Sequence, residues 1–524
     1  MGAGDAGMIT RPLHQVASLA GAAIVGPRDG TGPDAAPVSG VVTDSRRAGP
    51  GSLFVAIAGE RTDGHAHVGQ AARAGAAAAL VADPAAARSS LVAVGVEPDS
   101  FPLLVVPDTV GALGELARGH LADLRGRARA RGDVLTVVAV TGSVGKTTTK
   151  DLTRQLLAAQ SPTVAPAASF NNEIGLPLTV LETDESTRYL VLEMGASGPG
   201  HIAYLTRIAP LDAAAVLVIG HAHMGGFGSI DGVAAAKSEI IAGLVPTGTA
   251  VLNADDERAL AMSSLAPADV LTFSATGGGA DLRATDVRVG DGARASFNLH
   301  APGLADSRRV RLALPGAHNV VNALAAAGLA MAAGVPARAV ATVLGDVRIE
   351  SPHRMEVHEV ALGDGPGGVL LIDDSYNANI DSMSASLASL PALAGDRRRV
   401  VVISEMLELG ESSVADHART GELAARAGTA LLIAIGSGAA PTARTAARAG
   451  VETIEVADAE AALALLDSPD SPLRDADAVL VKGSHDSGAW RVADRLRVGR
   501  RGPKGSQETR EPEEPEKAKE MDPR

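Results

Sequence analysis

Short apolar runs recur along the chain, each emptying into a polar or glycine-containing turn and followed by an alanine-rich stretch with helical spacing. Residues 8–108 hold the runs Leu53–Ile57, Ala77–Val81 and Leu103–Val106 between turns. Residues 109–346 open with a helical pattern, Thr109–Arg131, and continue through the runs Val134–Val140, Tyr189–Leu192, Ala213–Ile219 and Val251–Asp256 to a helix at Val320–Ala332. Residues 347–500 hold Val369–Asp374, Val400–Ser404, Leu431–Gly436 and Ala478–Gly483, with helices between them. Repeated strand-then-helix patterns predict parallel sheets joined by right-handed crossovers. In such sheets ligands sit beyond the carboxyl ends of the strands, and nearly every polar cluster of this sequence falls at such a place. Residues 501–524 are rich in Glu, Lys and Pro with almost nothing apolar, which predicts a disordered tail. The patterned sequence begins at Met8, a candidate start of translation.

Composition narrows the picture. A chain of 524 residues exceeds one core. Hydrophobic residues make up 46% and aromatics 2%, so the cores must be built from Ala, Val, Leu and Ile. A net charge of −14 argues against non-specific binding of nucleic acid or an anionic membrane. It leaves room for an anionic substrate in a local pocket rich in N–H groups. The absence of cysteine excludes disulfides, thiolate metal sites and a cysteine nucleophile. No apolar run reaches the ~18–20 residues that span a bilayer, so no membrane insertion is expected. The N-terminus is a poor secretory signal, and the cytoplasm is the expected location.

The most informative stretch is VLTVVAVTGSVGKTTTK, Val134–Lys150. A strand, a tight glycine loop, a lysine, a hydroxyl and a helix in that order build a triphosphate cradle. Backbone N–H groups over Thr141, Gly142, Ser143, Val144 and Gly145, and the helix start at Thr148, point at phosphate oxygens. Lys146 reaches the β- and γ-phosphates, and the Thr147 hydroxyl suits magnesium. The strict pattern places glycine five positions before Gly145; Val140 stands there, and Gly142 supplies the early glycine.

Other clusters follow strand ends. Glu193 closes the run Tyr189–Leu192, where a carboxylate beside a triphosphate suits magnesium or simply caps a helix. His221 and His223 in IGHAHMGGFGS read as a metal or catalytic pair, or as loop histidines. Lys237 in DGVAAAKSEII has, on its pattern alone, the look of a solvated helix lysine. Asn319 and Asn322 share a helix face after His318 and read as base or ribose contacts, or as caps. The loop Asp373 to Asn379 holds more polar groups than a turn needs, and Arg354 could meet a phosphate bidentately.

Taken in order, DSRRAGPGSLFVAIAGERTDGH, TGSVGKTTTK, FNNEIGLPLTVL, LEMGAS, IGHAHMGGFGS, AAAKSEI, LNADD, PGAHNVVNALAA, DDSYNANIDSM and EMLELGE make a chain that resembles the Mur ligases from about residue 9 to 500. Within that family it is most similar to members that join D-alanyl-D-alanine to UDP-N-acetylmuramoyl-tripeptide. The resemblance implies an α/β fold with the three-domain Mur ligase architecture. On that resemblance residues 8–108 would bind the UDP-muramoyl substrate, 109–346 would form a central P-loop parallel-sheet ATPase domain, and 347–500 would form a Rossmann-like C-terminal domain. It implies ATP and magnesium as cofactors, an acyl-phosphate intermediate and a monomer. Thr147, Glu193 and His223 would contact magnesium, and Lys237 would be carbamylated. Asn253, Asn319 and Asp374 would lie near the adenosine, and Arg354 near the γ-phosphate. Ser45, Arg46, Asn171 and Asn172 would face the UDP-muramoyl substrate, and Tyr376 and Asn377 the dipeptide. His223 is also a candidate base.

Three positions depart from the family pattern. Ile380 replaces a proline after Asn-Ala-Asn, Glu405 replaces the aspartate of GDMLELGE, and His485 stands where a lysine-small-serine-arginine motif has its arginine. All three fall in residues 347–500, which leaves a ligase for another D,D-dipeptide or depsipeptide as an alternative. A folylpolyglutamate synthase-like ligase is disfavoured by the N-terminal region. A non-catalytic nucleotide-binding paralogue is disfavoured by the presence of Lys146, Glu193 and Lys237.

Overall fold

The computed structural model describes residues 8–26, 37–59, 62–220, 227–362 and 367–498. His221 and His223 and the predicted tail 501–524 lie outside the described residues. Three sheets follow one another along the chain. The first orders its strands Ala23–Val25, Leu103–Val105, Ala78–Val81, Ser52–Val55 and Gly40–Val42, parallel except for the first pair. The third orders them Glu356–Ala361, Gly368–Asp374, Ala478–Lys482, Arg399–Ser404, Leu431–Ile435 and Glu452–Val456, again parallel except for its first pair.

The nine-stranded second sheet departs from the expectation of parallel strands. At one edge, Leu282–Val289, Arg294–His300 and Arg308–Pro315 pair antiparallel. The reason is visible in the middle strand. Ala295, Phe297 and Leu299 are buried while Arg294 is exposed and Ser296 and Asn298 are half-covered. A strand with one wet face belongs to an antiparallel meander, whereas strands covered on both faces read as continuous apolar runs. Val137 to Thr141 is such a run, fully buried between Tyr189–Glu193 and Leu211–Val216.

One apolar cluster joins the first sheet, the helix Thr109–Ala130 and one face of the second sheet. The opposite face of that sheet packs on the alanine-rich helix Asn319–Ala332. The two faces of the third sheet have separate clusters. Among the described residues three aromatic side chains, Phe54, Phe273 and Phe297, are among the largest fully buried ones. The close approach that small residues permit replaces bulk in these cores. No helix among the described residues is long and apolar enough to cross a membrane.

Candidate active site

The phosphate loop leaves the carboxyl end of strand Thr136–Thr141 and enters helix Lys146–Ala158. Gly145 takes φ 85°, and a Cβ there would lie 2.2 Å from Asn322 Oδ1, so only glycine fits the turn. Thr141 is buried behind the loop and its Oγ1 donates to the Met194 carbonyl at 2.8 Å. Ser143 Oγ bonds to both the carbonyl and the N–H of Gly220, tying the loop to the neighbouring strand's exit. Lys146 Nζ donates to the Gly142 carbonyl at 2.9 Å. Burial pushes the Lys146 amine below its usual range; Glu193 opposes that shift and Arg354 adds to it.

Glu193 ends strand Tyr189–Glu193 and is buried, yet it is not short of donors. Its Oε2 accepts from Thr147 Oγ1 at 2.8 Å, and its Oε1 accepts from Ser169 Oγ at 2.8 Å and Asn171 Nδ2 at 2.7 Å. Asn172 Oδ1 accepts from the Gly175 N–H at 2.9 Å, in the turn that leads into helix Gly175–Leu181. Lys237, on helix Ile230–Ala242, is 2% exposed rather than solvated. Burial, and then the charge of Lys146, push its amine down to about 7. Alanine neighbours gave no sign of this, because the helix face is decided by packing.

The opposite wall comes from the third sheet. Asp374 and Lys482 are register partners at the ends of adjacent parallel strands. Lys482 Nζ donates to Asp374 Oδ2 at 2.7 Å and to the Asn377 carbonyl at 3.1 Å. Asn379 caps helix Ile380–Ala394 in a reciprocal capping box with Ser382, and its Nδ2 reaches the Ser143 carbonyl at 3.5 Å. Ile380 occupies the first helical position, where proline also fits, so this departure leaves the backbone geometry in place. Arg354 Nη2 donates to Thr147 Oγ1 at 3.1 Å, and its guanidinium carbon stands 4.1 Å from the Tyr376 ring centroid. Tyr376 in turn lies 5.6 Å from the His485 ring, which stacks on Trp490 at 5.7 Å.

A cavity of about 510 Å³ runs between these walls. It brings together the loop from Ser143 to Thr148 with Asn171, Asn172, Glu193, Asn319, Arg354, Asp374, Tyr376 and Asn377. Ser45, Arg46, Asn253 and Lys237 do not line it. Ser45 Oγ bonds Gln70, Arg46 is mostly exposed against Asp44, and Asn253 Oδ1 accepts from the Asp255 N–H within its own turn. The cavity adds Ser169, Glu173, His201 and Lys482, which pattern reading did not select, and His318, which it named beside Asn319 and Asn322 without a role. Burial lowers the His318 pKa, against the pull of Asp374. Ser169 and Glu173 flank the Asn171–Asn172 pair already singled out, and Lys482 ends a predicted strand; those positions were the available signal. Among the described residues no group of three or more His, Asp or Glu gathers as a ready metal site.

Family models for the Mur ligase family match in chain order: the catalytic domain at residues 37–121, the middle domain at 140–330 and the glutamate ligase domain at 353–485. The chain is 40% identical over 514 residues to the UDP-N-acetylmuramoyl-tripeptide--D-alanyl-D-alanine ligase of Mycobacterium tuberculosis, covering 93% of this chain and 98% of that one. The chain belongs to the Mur ligase family. The enzyme of the same name from Escherichia coli is 39% identical over 397 residues, 76% of this chain and 81% of its own. Among solved structures, MurF from Acinetobacter baumannii superposes with a TM-score of 0.77 at 30% identity, covering 94% of this chain and 99% of that one. MurF from Thermotoga maritima, solved in complex with ADP, gives 0.68 at 27% identity, over 88% and 97%. The α/β Mur ligase fold expected from the motif series is therefore the observed one.

Proposed function

We propose that the chain is an ATP-dependent ligase that joins D-alanyl-D-alanine to UDP-N-acetylmuramoyl-tripeptide during peptidoglycan precursor synthesis. One observation supports this most: a single cavity has the phosphate loop on one wall and the strand ends of the third sheet on the other. An activated carboxyl group and an incoming amine can share that space with little bulk water. The division of labour follows residues 8–108 for the UDP-muramoyl part, 109–346 for ATP and 347–500 for the acceptor. The cytoplasm and a monomer remain the expected setting.

The terminal carboxylate of the tripeptide attacks the γ-phosphate of ATP, giving an acyl phosphate and ADP. Such a transfer depends mainly on positioning and charge neutralisation. Lys146, the loop N–H groups and Arg354 provide both. The amine of the dipeptide then attacks the acyl carbon, phosphate leaves and an amide forms. Asn171 and Asn172 face the muramoyl peptide, Asn319 and Asp374 the adenosine, and Tyr376 and Asn377 the acceptor. A C-terminal domain closed over the cavity keeps water from the acyl phosphate. The Thr147 hydroxyl and the Glu193 carboxylate, 2.8 Å apart, are oxygen donors of the kind magnesium prefers. When bound, that ion supplies further neutralisation of the phosphates. A lysine amine at about 7 is substantially neutral at physiological pH, as its reaction with carbon dioxide requires, which supports a carbamylated Lys237.

The test is phosphate release from ATP with UDP-N-acetylmuramoyl-tripeptide, adding D-alanyl-D-alanine or D-alanyl-D-lactate in turn, with Lys146→Ala as control. No acceptor-dependent release with either would sink the ligase reading. Preference for the depsipeptide would support the second reading, a ligase for a different acceptor. That reading is favoured by His485, an imidazole stacked on Trp490 beside the Tyr376 ring where the family pattern has a guanidinium.

A further inference from the structure

The helix after the phosphate loop has a second occupation along one face. Thr147, Asp151 and Gln155 recur four residues apart on helix Lys146–Ala158 and therefore stand in a row. The segment leading to Arg354 runs along that row in the opposite sense. Gln155 Oε1 accepts from the Arg348 N–H at 2.9 Å, and its Nε2 donates to the Arg348 carbonyl at 2.6 Å. Arg154 pairs with Glu350. Asp151 Oδ2 accepts from the N–H groups of Glu350 at 3.0 Å and Ser351 at 2.8 Å, and its Oδ1 accepts the Ser351 hydroxyl at 3.0 Å. Lys150 Nζ lies 2.5 Å from Asp151 Oδ1 and donates to Ser351 Oγ at 3.0 Å and the Pro166 carbonyl at 2.7 Å. At the end of the row Arg354 meets Thr147.

This is more than a linker requires. Lys150, Asp151 and Ser351 are all buried, and a buried ion pair is weak evidence of stabilisation, since apolar packing often does as well. Beyond Ser351 the backbone is strained. His353 at φ 59° and Met355 at φ 53° take left-handed conformations on either side of Arg354. Such residues persist only where their surroundings over-determine them. Here Glu356 accepts the His353 N–H at 2.6 Å, Asp373 holds the His353 ring at 2.8 Å, and Asp374 accepts the Met355 N–H at 3.2 Å. Arg354 is thus held from the second sheet through Asp151 and from the third sheet through His353 and Met355. Its buried Nε has no hydrogen-bond partner among the described residues.

We propose that Asp151, with Lys150 and Ser351, is a positioning residue that sets where the Arg354 guanidinium stands over the phosphate loop. The inference rests on Arg354 acting at the γ-phosphate. Asp151 touches no reacting atom. Because one helix bears the phosphate-binding N-terminus and the anchor, the loop and the arginine keep their spacing when other parts of the third sheet shift.

Ser351→Ala removes the hydroxyl shared by Lys150 and Asp151 while leaving their ion pair and both backbone bonds. Asp151→Asn removes the charge; should it fail to fold, Ser351→Ala decides the matter. Each variant is made alone and on Arg354→Lys, which keeps a charge and loses the planar fork. Acceptor-dependent phosphate release is measured. Alone, each lowers kcat about 10- to 100-fold while the KM for ATP stays within about twofold. On Arg354→Lys the further loss stays under about threefold, because groups acting as a unit are not additive. A larger further loss, or a Ser351→Ala kcat within about twofold of the parent, overturns the anchor. Parental turnover in Arg354→Ala instead overturns the reading of Arg354 on which it rests, and the anchor with it.

Discussion

The phosphate loop occupies consecutive positions, Thr141 to Thr148, between one strand and one helix. The wall facing it is assembled from the ends of Gly368–Asp374 and Ala478–Lys482, from Arg354 and from Tyr376, against which the His485 ring is tilted and stacked in turn on Trp490. The first wall is built around one local turn of backbone, and side chains borrowed from distant parts of the chain make up the second. A backbone cradle tolerates sequence change outside its own glycines; Val140 lies within the buried strand Thr136–Thr141, before the loop, so the lack of a glycine there leaves the loop intact. A wall of side chains changes character with one substitution, as at His485.

Removal of Lys146 tests the first wall most severely. Lys146→Ala should lower kcat by about 10³-fold, since a preorganised charge is lost where charge develops. Single-turnover phosphate release checks it, and residual activity near the parent's would move the catalytic weight to the facing wall. Lys237→Arg, which cannot be carbamylated, should cost about 10²-fold or more. Dialysis of the parent protein against carbon-dioxide-free buffer should produce the same loss, reversed by bicarbonate.

On the facing wall, Asp374→Asn strands Lys482, which is buried, and should destabilise the protein by about 3–5 kcal/mol in chemical unfolding. An unchanged unfolding midpoint would mean that the pair contributes nothing to holding the two strand ends together. His485→Ala should raise the KM for the dipeptide about tenfold and leave that for ATP within about twofold, because the ring borders a smaller cavity beside Tyr376 and Asn377, the residues proposed to meet the acceptor, and does not line the main cavity. Equal effects on both constants would erase the distinction between the walls.

The remaining effect concerns stability and pH. With its amine held at about 7, Lys237 in bicarbonate-depleted protein is neutral when folded and protonated when unfolded, up to the usual lysine value. The unfolded chain then binds the extra proton, so stability rises with pH across that window by up to about 1.4 kcal/mol per unit. Lys237→Met should flatten that slope in melts taken from pH 7 to 10. A slope unchanged by the substitution would assign it to other groups.

Legibility followed the same divide. The strands Thr136–Thr141, Gly368–Asp374, Arg399–Ser404, Leu431–Ile435 and Ala478–Lys482 all fall on apolar runs visible in the sequence. The helix Thr109–Ala130 falls on the helical pattern read over Thr109–Arg131. The antiparallel edge of the second sheet was passed over because its alternation of buried and wet positions is weaker than a continuous apolar run. Lys237 read as a solvated residue because an alanine-rich helix shows no preferred face. Glu173 and His201, which bond at 2.8 Å in the cavity, are separated in the chain and share no spacing that would connect them.

The sequence by itself determined the shape of the proposed phosphate loop, since the turn at Gly142, Gly145, Lys146 and Thr147 is local geometry that needs only a strand before and a helix after. Folding decided everything that depends on chain segments far apart. It buried Lys237 beside Lys146, paired Asp374 with Lys482 across two parallel strands, and laid Ser351 on Asp151 so that Arg354 meets Thr147. The physical reason is range: backbone hydrogen bonds and turn conformations are written within a few residues, whereas burial, charge pairing and the field around an amine come from whatever the fold brings close.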